Sequence, residues 1–168
     1  PCSFMFVASM NPCPCGYYGD PTHRCVCTPG QIQRYMNKIS GPLLDRIDIQ
    51  CEISPVPFKD ISTAAPGEPS AKIRERVIKA REIQAARFQD FKGIHCNAQM
   101  TERMIHQFAE PDEEGINLLR MAMEKLSLSA RAYNRILKVA RTIADLAGSE
   151  HVEPFHLAEA IGYRTLDR

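Results

Sequence analysis

The periodicity of apolar positions changes along the chain, and the changes mark its elements. Cys2–Met10 (CSFMFVASM) is a nearly continuous apolar run, the pattern of a strand buried on both faces of a parallel sheet. Asn11-Pro12 breaks it, which puts Asn11 at the strand's carboxyl end, where open α/β sheets meet their ligands, although on the dipeptide alone it reads as an Asn that simply starts a turn before Pro. Ile47–Ile53 instead alternates, with Ile47, Ile49, Cys51 and Ile53 on one side and Asp48, Gln50 and Glu52 on the other. That period predicts a half-exposed strand near a sheet edge, with Cys51 in the core. Between the two, Thr28-Pro29-Gly30-Gln31 has the form of a capping box. It predicts a helix to about Ile39, stopped by Ser40-Gly41-Pro42.

Beyond Ser54 the pattern turns helical. Pro55, Pro57, Pro66, Gly67 and Pro69 make 55–70 a linker. Helices are expected from Ser70 to about Phe91, with Ile73, Val77, Ala80 and Phe88 inward, and from Thr101, with Met104, Ile105 and Phe108 inward. A third follows Pro111, whose acids Asp112–Glu114 complement the helix dipole. Ser129 caps the most regular helix, ended by Gly148, and Pro154 starts the last, carrying Phe155, Ala158 and Ile161. The expectation is an α/β segment over 1–54, a linker, and an all-α bundle over 71–168.

Composition changes this picture little. The 21 basic and 20 acidic residues nearly cancel, so no overall charge demands nucleic acid. No run approaches the roughly 18 apolar residues of a membrane span. The abrupt start at Pro1-Cys2 suggests a piece of a longer protein. Seven cysteines, four of them close together, favour a metal site or free thiols over disulfides, and a cytoplasmic setting.

Those four form two Cys-x-Cys pairs, Cys13/Cys15 and Cys25/Cys27, in a loop rich in Pro and Gly. Four thiolates suit a closed tetrahedral zinc site with a structural role, carrying a net charge of about −2 that His23, Arg24 and Arg34 can offset. His23 is a less natural substitute ligand. Four unligated thiols, or a disulfide pair, is the alternative. Arg46 lies between Asp45 and Asp48, and Arg131 sits early in the capped helix, where a cation is disfavoured unless an anion is present. On spacing alone Arg46 reads as a surface ion pair with those aspartates, and Arg135, Lys138 and Arg141 as a solvated basic face.

Three segments carry a resemblance. Phe6-Val-Ala-Ser-Met-Asn-Pro12, Ser40-Gly-Pro-Leu-Leu-Asp-Arg-Ile-Asp48 and the helix over 128–147 resemble the magnesium-chelatase-like AAA+ ATPases, nearest to the ComM/YifB branch. The resemblance covers essentially the whole chain. It implies the C-terminal part of a P-loop AAA+ core followed by a helical lid. It also implies that Asn11 is sensor 1, Arg46 an arginine finger serving a neighbouring subunit, and Arg131 the sensor 2 arginine. The parent protein would then be a homo-hexameric ATPase acting on DNA in transformation or branch migration, using ATP and Mg2+, with structural Zn2+ in those members that keep the cysteines.

The departure from the family pattern is equally specific. No Gly-x-x-x-x-Gly-Lys-[Ser/Thr] loop and no acidic Walker B strand end occur in the 168 residues, so the chain as given is expected not to hydrolyse ATP. Two other readings stand beside this one: a zinc-dependent nucleic-acid- or protein-binding module using Tyr17, Tyr18, His23 and Arg24, and a subunit of a metal-inserting chelatase.

Overall fold

Thr28, Thr101 and Ser129 cap helices as their positions in the sequence suggest, whereas Ser70 is itself the first residue of its helix, behind Pro69 and without a side-chain cap. The computed structural model describes residues 4–54, 56, 67–126 and 128–164. Among these, α1 spans Pro29–Met36, with the Thr28/Gln31 capping box formed, and α2 is the short Gly41–Leu44. α3 covers Ser70–Phe88, and a 3-10 turn over Asn97–Gln99 follows it. α4 (Glu102–Phe108) is capped by Thr101, and α5 is Glu113–Leu126, with Glu113 and Glu114 in its first turn. α6 (Ala130–Ala147) is capped by Ser129 and ended by Gly148 at φ 70°, a left-handed position that glycine fills without a Cβ clash. α7 is Pro154–Gly162.

The expected sheet is absent: among the described residues there is no strand. Phe4, Met5, Phe6 and Val7 are all exposed, Met5 at 88%. A run buried on both faces needs strands beside it and layers above and below, and the described residues provide neither. The Ile47–Ile53 expectation fails differently. Ile49, Cys51 and Ile53 are exposed whereas Gln50 is buried. Gln50 donates its N–H to Tyr163 O at 2.9 Å and its side-chain amide to Leu44 O at 3.1 Å. Contact with the end of α7 therefore decides which side faces inward, and Cys51 is not a core residue.

Contacts divide the chain into two compact units, Pro1–Ser40 with Ile53–Pro57, and Gly41–Glu52 with Phe58–Arg168. In the second, α6 is the central element, packing on α3, α4, α7 and the 3-10 turn, while α5 packs on α7. Its core includes Phe88, Met104, Ile105, Leu119, Ile136, Leu137 and Leu157. Phe88, Phe91 and Phe108 meet edge to face, with centroids 5.8–6.3 Å apart, the arrangement that ring quadrupoles favour. Two expected stripes are displaced. Ile73 and Val77 of α3 are exposed, and the buried face is Ala80, Gln84 and Phe88. On α7 the buried residues are His156, Leu157 and Ala160 rather than Phe155 and Ala158.

Candidate functional site

Glycines and short-range hydrogen bonds fold the cysteine loop back on itself. Gly16 and Gly19 both sit at φ 85°, a region other residues reach only with strain. Gly16 N–H bonds Cys13 O at 3.0 Å and Asp20 N–H bonds Tyr17 O at 3.2 Å. One Asp20 oxygen accepts the Thr22 hydroxyl, the Thr22 N–H and the His23 N–H. The Thr22 groups, helped by His23, hold this carboxyl below its ordinary range.

These turns bring the two cysteine pairs together. The sulfurs of Cys13, Cys15, Cys25 and Cys27 all lie within 4.8 Å of one another, with Cys13–Cys15 at 3.3 Å, Cys15–Cys25 at 3.6 Å and Cys13–Cys25 at 3.7 Å. Zn–S bonds of about 2.3 Å in a tetrahedron imply sulfurs about 3.8 Å apart, so the set fits zinc, whereas a disulfide needs about 2.05 Å. Backbone N–H groups already face the sulfurs. Those of Tyr17 and Val26 hold the Cys15 thiol down to about 6. Burial pushes Cys27 up to about 12, and the Cys15 and Cys13 thiols add to the shift. Cys13 is lowered although burial opposes it, through the N–H groups of Tyr18 and Gly16 and the Cys25 thiol. Cys25 is raised: the Cys27 N–H opposes, but burial and the two neighbouring thiols outweigh it. Four sulfurs this close cannot all ionise without a cation among them, which is what a coordinated metal supplies.

His23 stands outside the sulfur group. It stacks on Tyr17 with centroids 4.9 Å apart and lies 3.5 Å from Asp20, so the cluster that could hold a metal consists of the four cysteines alone. Asn11 is exposed and adjoins the turn: a Cβ added to Gly16 would come within 3.8 Å of Asn11 Nδ2.

The second unit carries the two candidate arginines. Arg46 follows α2, donates its N–H to Leu43 O at 3.0 Å, and has an exposed side chain without an ion pair among the described residues. The surface pairing suggested by its flanking aspartates does not form, because both are engaged elsewhere. Asp45 Oδ1 accepts the Ser129 hydroxyl at 3.0 Å and faces Arg164 at 3.4 Å, and Asp48 pairs with Arg135. Ser129 also accepts the Ala132 N–H at 3.2 Å as the cap of α6. The Arg46 turn is thereby tied to the first turn of α6, on which Arg131 is exposed. Asp45 supplies the anion that a helix N-terminus favours.

The solvated basic face expected of α6 is only partly one. Arg141 is 2% exposed and donates to Asp145, Ser149 O and Glu150 O at 3.1, 2.6 and 2.8 Å. Lys138 donates to Ala98 O at 2.9 Å, and Arg135 holds Asp48. Sequence reading missed this network, together with Ser129 and Arg164 as partners of the Arg46 turn. Ser129 is legible as a cap, but nothing local marks a contact with Asp45, 84 residues away.

Comparison with known proteins gives the chain a family. The family described as magnesium chelatase, subunit ChlI, matches residues 1–61, and its C-terminal counterpart matches residues 67–164. Competence protein ComM of Haemophilus influenzae is 43% identical over 169 residues, covering all of this chain and 32% of ComM. The proteins called YifB of Escherichia coli and Salmonella typhimurium are 44% and 41% identical over 170 residues, again across the whole chain and 32% of each relative. The chain thus spans about a third of the length of these relatives. No helix among the described residues is long and apolar enough to cross a membrane.

Proposed function

Because this chain belongs to the magnesium chelatase ChlI family, with ComM- and YifB-like relatives across its whole length, we propose that it supplies the phosphate-sensing arginines of a ring-forming, DNA-directed AAA+ ATPase. The observation that carries this reading is Arg46: an exposed guanidinium on an anchored turn, whose flanking aspartates are occupied by Ser129, Arg164 and Arg135. Phosphoryl transfer is catalysed mainly by positioning and by stabilising charge on the phosphoryl oxygens. A guanidinium suits that task because its charge is permanent and its donors form a planar fork. An arginine delivered from a neighbouring subunit contributes about 10³–10⁵ in rate. ATP with Mg2+ supplies the phosphoryl group; this chain contributes Arg46 in trans, with Asn11 and Arg131 as sensors. The lid is residues 71–168, reached through the linker at 55–70, and the setting is cytoplasmic. In the assembled protein Arg46→Ala should remove nearly all ATP hydrolysis while nucleotide binding persists; full turnover would refute the assignment.

The four sulfurs hold structural Zn2+ in this reading. A zinc-dependent binding module is the second reading, favoured by the exposed Tyr17–His23 stack and the exposed Tyr18 and Arg24 beside the cysteines. Stacking on bases and pairing with phosphates would follow from that surface. Salt-dependent binding of single-stranded DNA that is lost in Tyr18→Ala, with zinc retained, would support it.

A further inference from the structure

Arg164 lies just past the end of α7 and is 1% exposed; above it figures only as a partner of Asp45. Its guanidinium straddles Arg46. Nη1 donates to the carbonyl of Ile47, immediately after Arg46. Nη2 faces the carbonyl and the carboxylate of Asp45, immediately before it, at 3.4 Å each. Three further contacts tighten the same turn: Asp45 with Ser129 at 3.0 Å, Asp48 with Arg135, and the Gln50 N–H with Tyr163 O at 2.9 Å. The backbone on both sides of Arg46 is thus fixed to α6 and α7, while the Arg46 side chain remains exposed.

We propose that Arg164 is the positioning residue of Arg46, and that with Ser129 it makes the Arg46 turn and the start of α6 a single body, so that Arg46 and Arg131 are presented together. This rests on reading Arg46 as a phosphate-facing residue. The chemistry selects arginine at 164. A planar fork reaches two carbonyls on either side of one residue at once, whereas a lysine ammonium keeps the charge but is a single point on a flexible stem. Placement within an ångström governs such a group, since misplacing a catalytic side chain by that much costs about 10²-fold in rate.

Two measurements on the zinc-loaded, assembled protein test this. Trypsin cleavage after Arg46 reads the turn directly and needs no enzymatic activity. Loss of charge-assisted hydrogen bonds should speed that cleavage at least about tenfold in Arg164→Met, with Arg164→Lys only partly protected. Cleavage at the wild-type rate in both variants overturns the clamp. ATP turnover then reads the consequence. Arg164→Met should lower kcat about 10²-fold with little change in KM, and Arg46→Ala/Arg164→Met should be no slower than Arg46→Ala alone. Losses that multiply in the double variant overturn the positioning role. So does full turnover in Arg164→Met beside an inactive Arg46→Ala, which leaves the Arg46 assignment standing. Full turnover in Arg46→Ala removes the assignment and the positioning role together. Should Arg164→Met fail to fold, Asp45→Ala removes the carboxylate partner: faster trypsin cleavage and a lowered kcat then support the clamp, and wild-type values of both overturn it.

Discussion

At the scale of single residues, charges inside the helical unit are tolerated because each meets its complement. Asp145 is 3% exposed and accepts from Arg87 at 2.5 and 2.8 Å, from Asn97 at 2.8 Å and from Arg141 at 3.1 Å. Removing one partner of a buried pair leaves the other desolvated and unpaired, at a cost of about 3–5 kcal/mol. Asp145→Ala is accordingly expected to lose that much in urea unfolding, and a loss under about 1 kcal/mol would place the group in solvent. His156 is the acid-sensitive counterpart. Its Nδ1 accepts the Glu153 N–H at 3.0 Å, and its Nε2 is buried without a hydrogen-bond partner among the described residues. Burial, and then the Arg141 charge, lower its pKa from 6.5, although Glu153 and Glu159 oppose this. The unfolded chain therefore takes up the proton first as pH falls. The stability contributed by neutral His156 is complete above about 6.5 and declines below it, toward the lowered folded value. Urea midpoints at pH 7.5 and 5.5 should differ less in His156→Asn than in the unmodified protein; equal differences would dismiss His156 as the source.

At the scale of elements, caps and packing faces carry different kinds of information. Thr28, Thr101 and Ser129 accept N–H groups of their own first turns, a contact set within a few residues and worth about 1 kcal/mol each. Faces are set by neighbours instead. α5 approaches α7 closely because Gly115 has no side chain: a Cβ there would lie 2.7 Å from Leu157 Cδ1 and 2.8 Å from Pro111 Cβ. Overpacking of this kind costs about 1–3 kcal/mol, and the helix propensity of alanine returns at most about 1 kcal/mol. A net loss of melting temperature is expected for Gly115→Ala. Combined with Leu157→Ala the loss should be smaller than the sum of the two; strict additivity would separate Gly115 from that contact.

At the scale of the whole molecule, the two units are held by different physics. The helical unit has a contiguous apolar core. Among the described residues 4–40, only Cys13 is buried, so these residues lack the buried area by which small domains hold themselves together. If the four sulfurs hold zinc as proposed, chelation should free four reactive thiols and disorder the loop over 13–27, while the helical circular dichroism of α3–α7 largely persists. Coupled loss of both signals would contradict this division. Substituting Cys13 by Ser should reproduce the chelated state.

What the sequence alone determined is local or compositional. The capping box at Thr28, the left-handed stop at Gly148, the helical character of 70–162 and the convergence of two Cys-x-Cys pairs all follow from residues near one another in the chain. The family relationship was legible for the same reason, through contiguous motifs around Asn11, Arg46 and Arg131. Tertiary structure decided what depends on distant partners. It left Phe4–Met10 exposed without a sheet, turned Gln50 inward and Cys51 outward, buried Arg141 against Asp145, and joined the Arg46 turn to Ser129 and Arg164. A hydrophobic period specifies that a face is buried only when something covers it, and a charge is solvated only when nothing pairs with it. Both conditions are properties of neighbours in space, and no neighbouring residue in the sequence reports them.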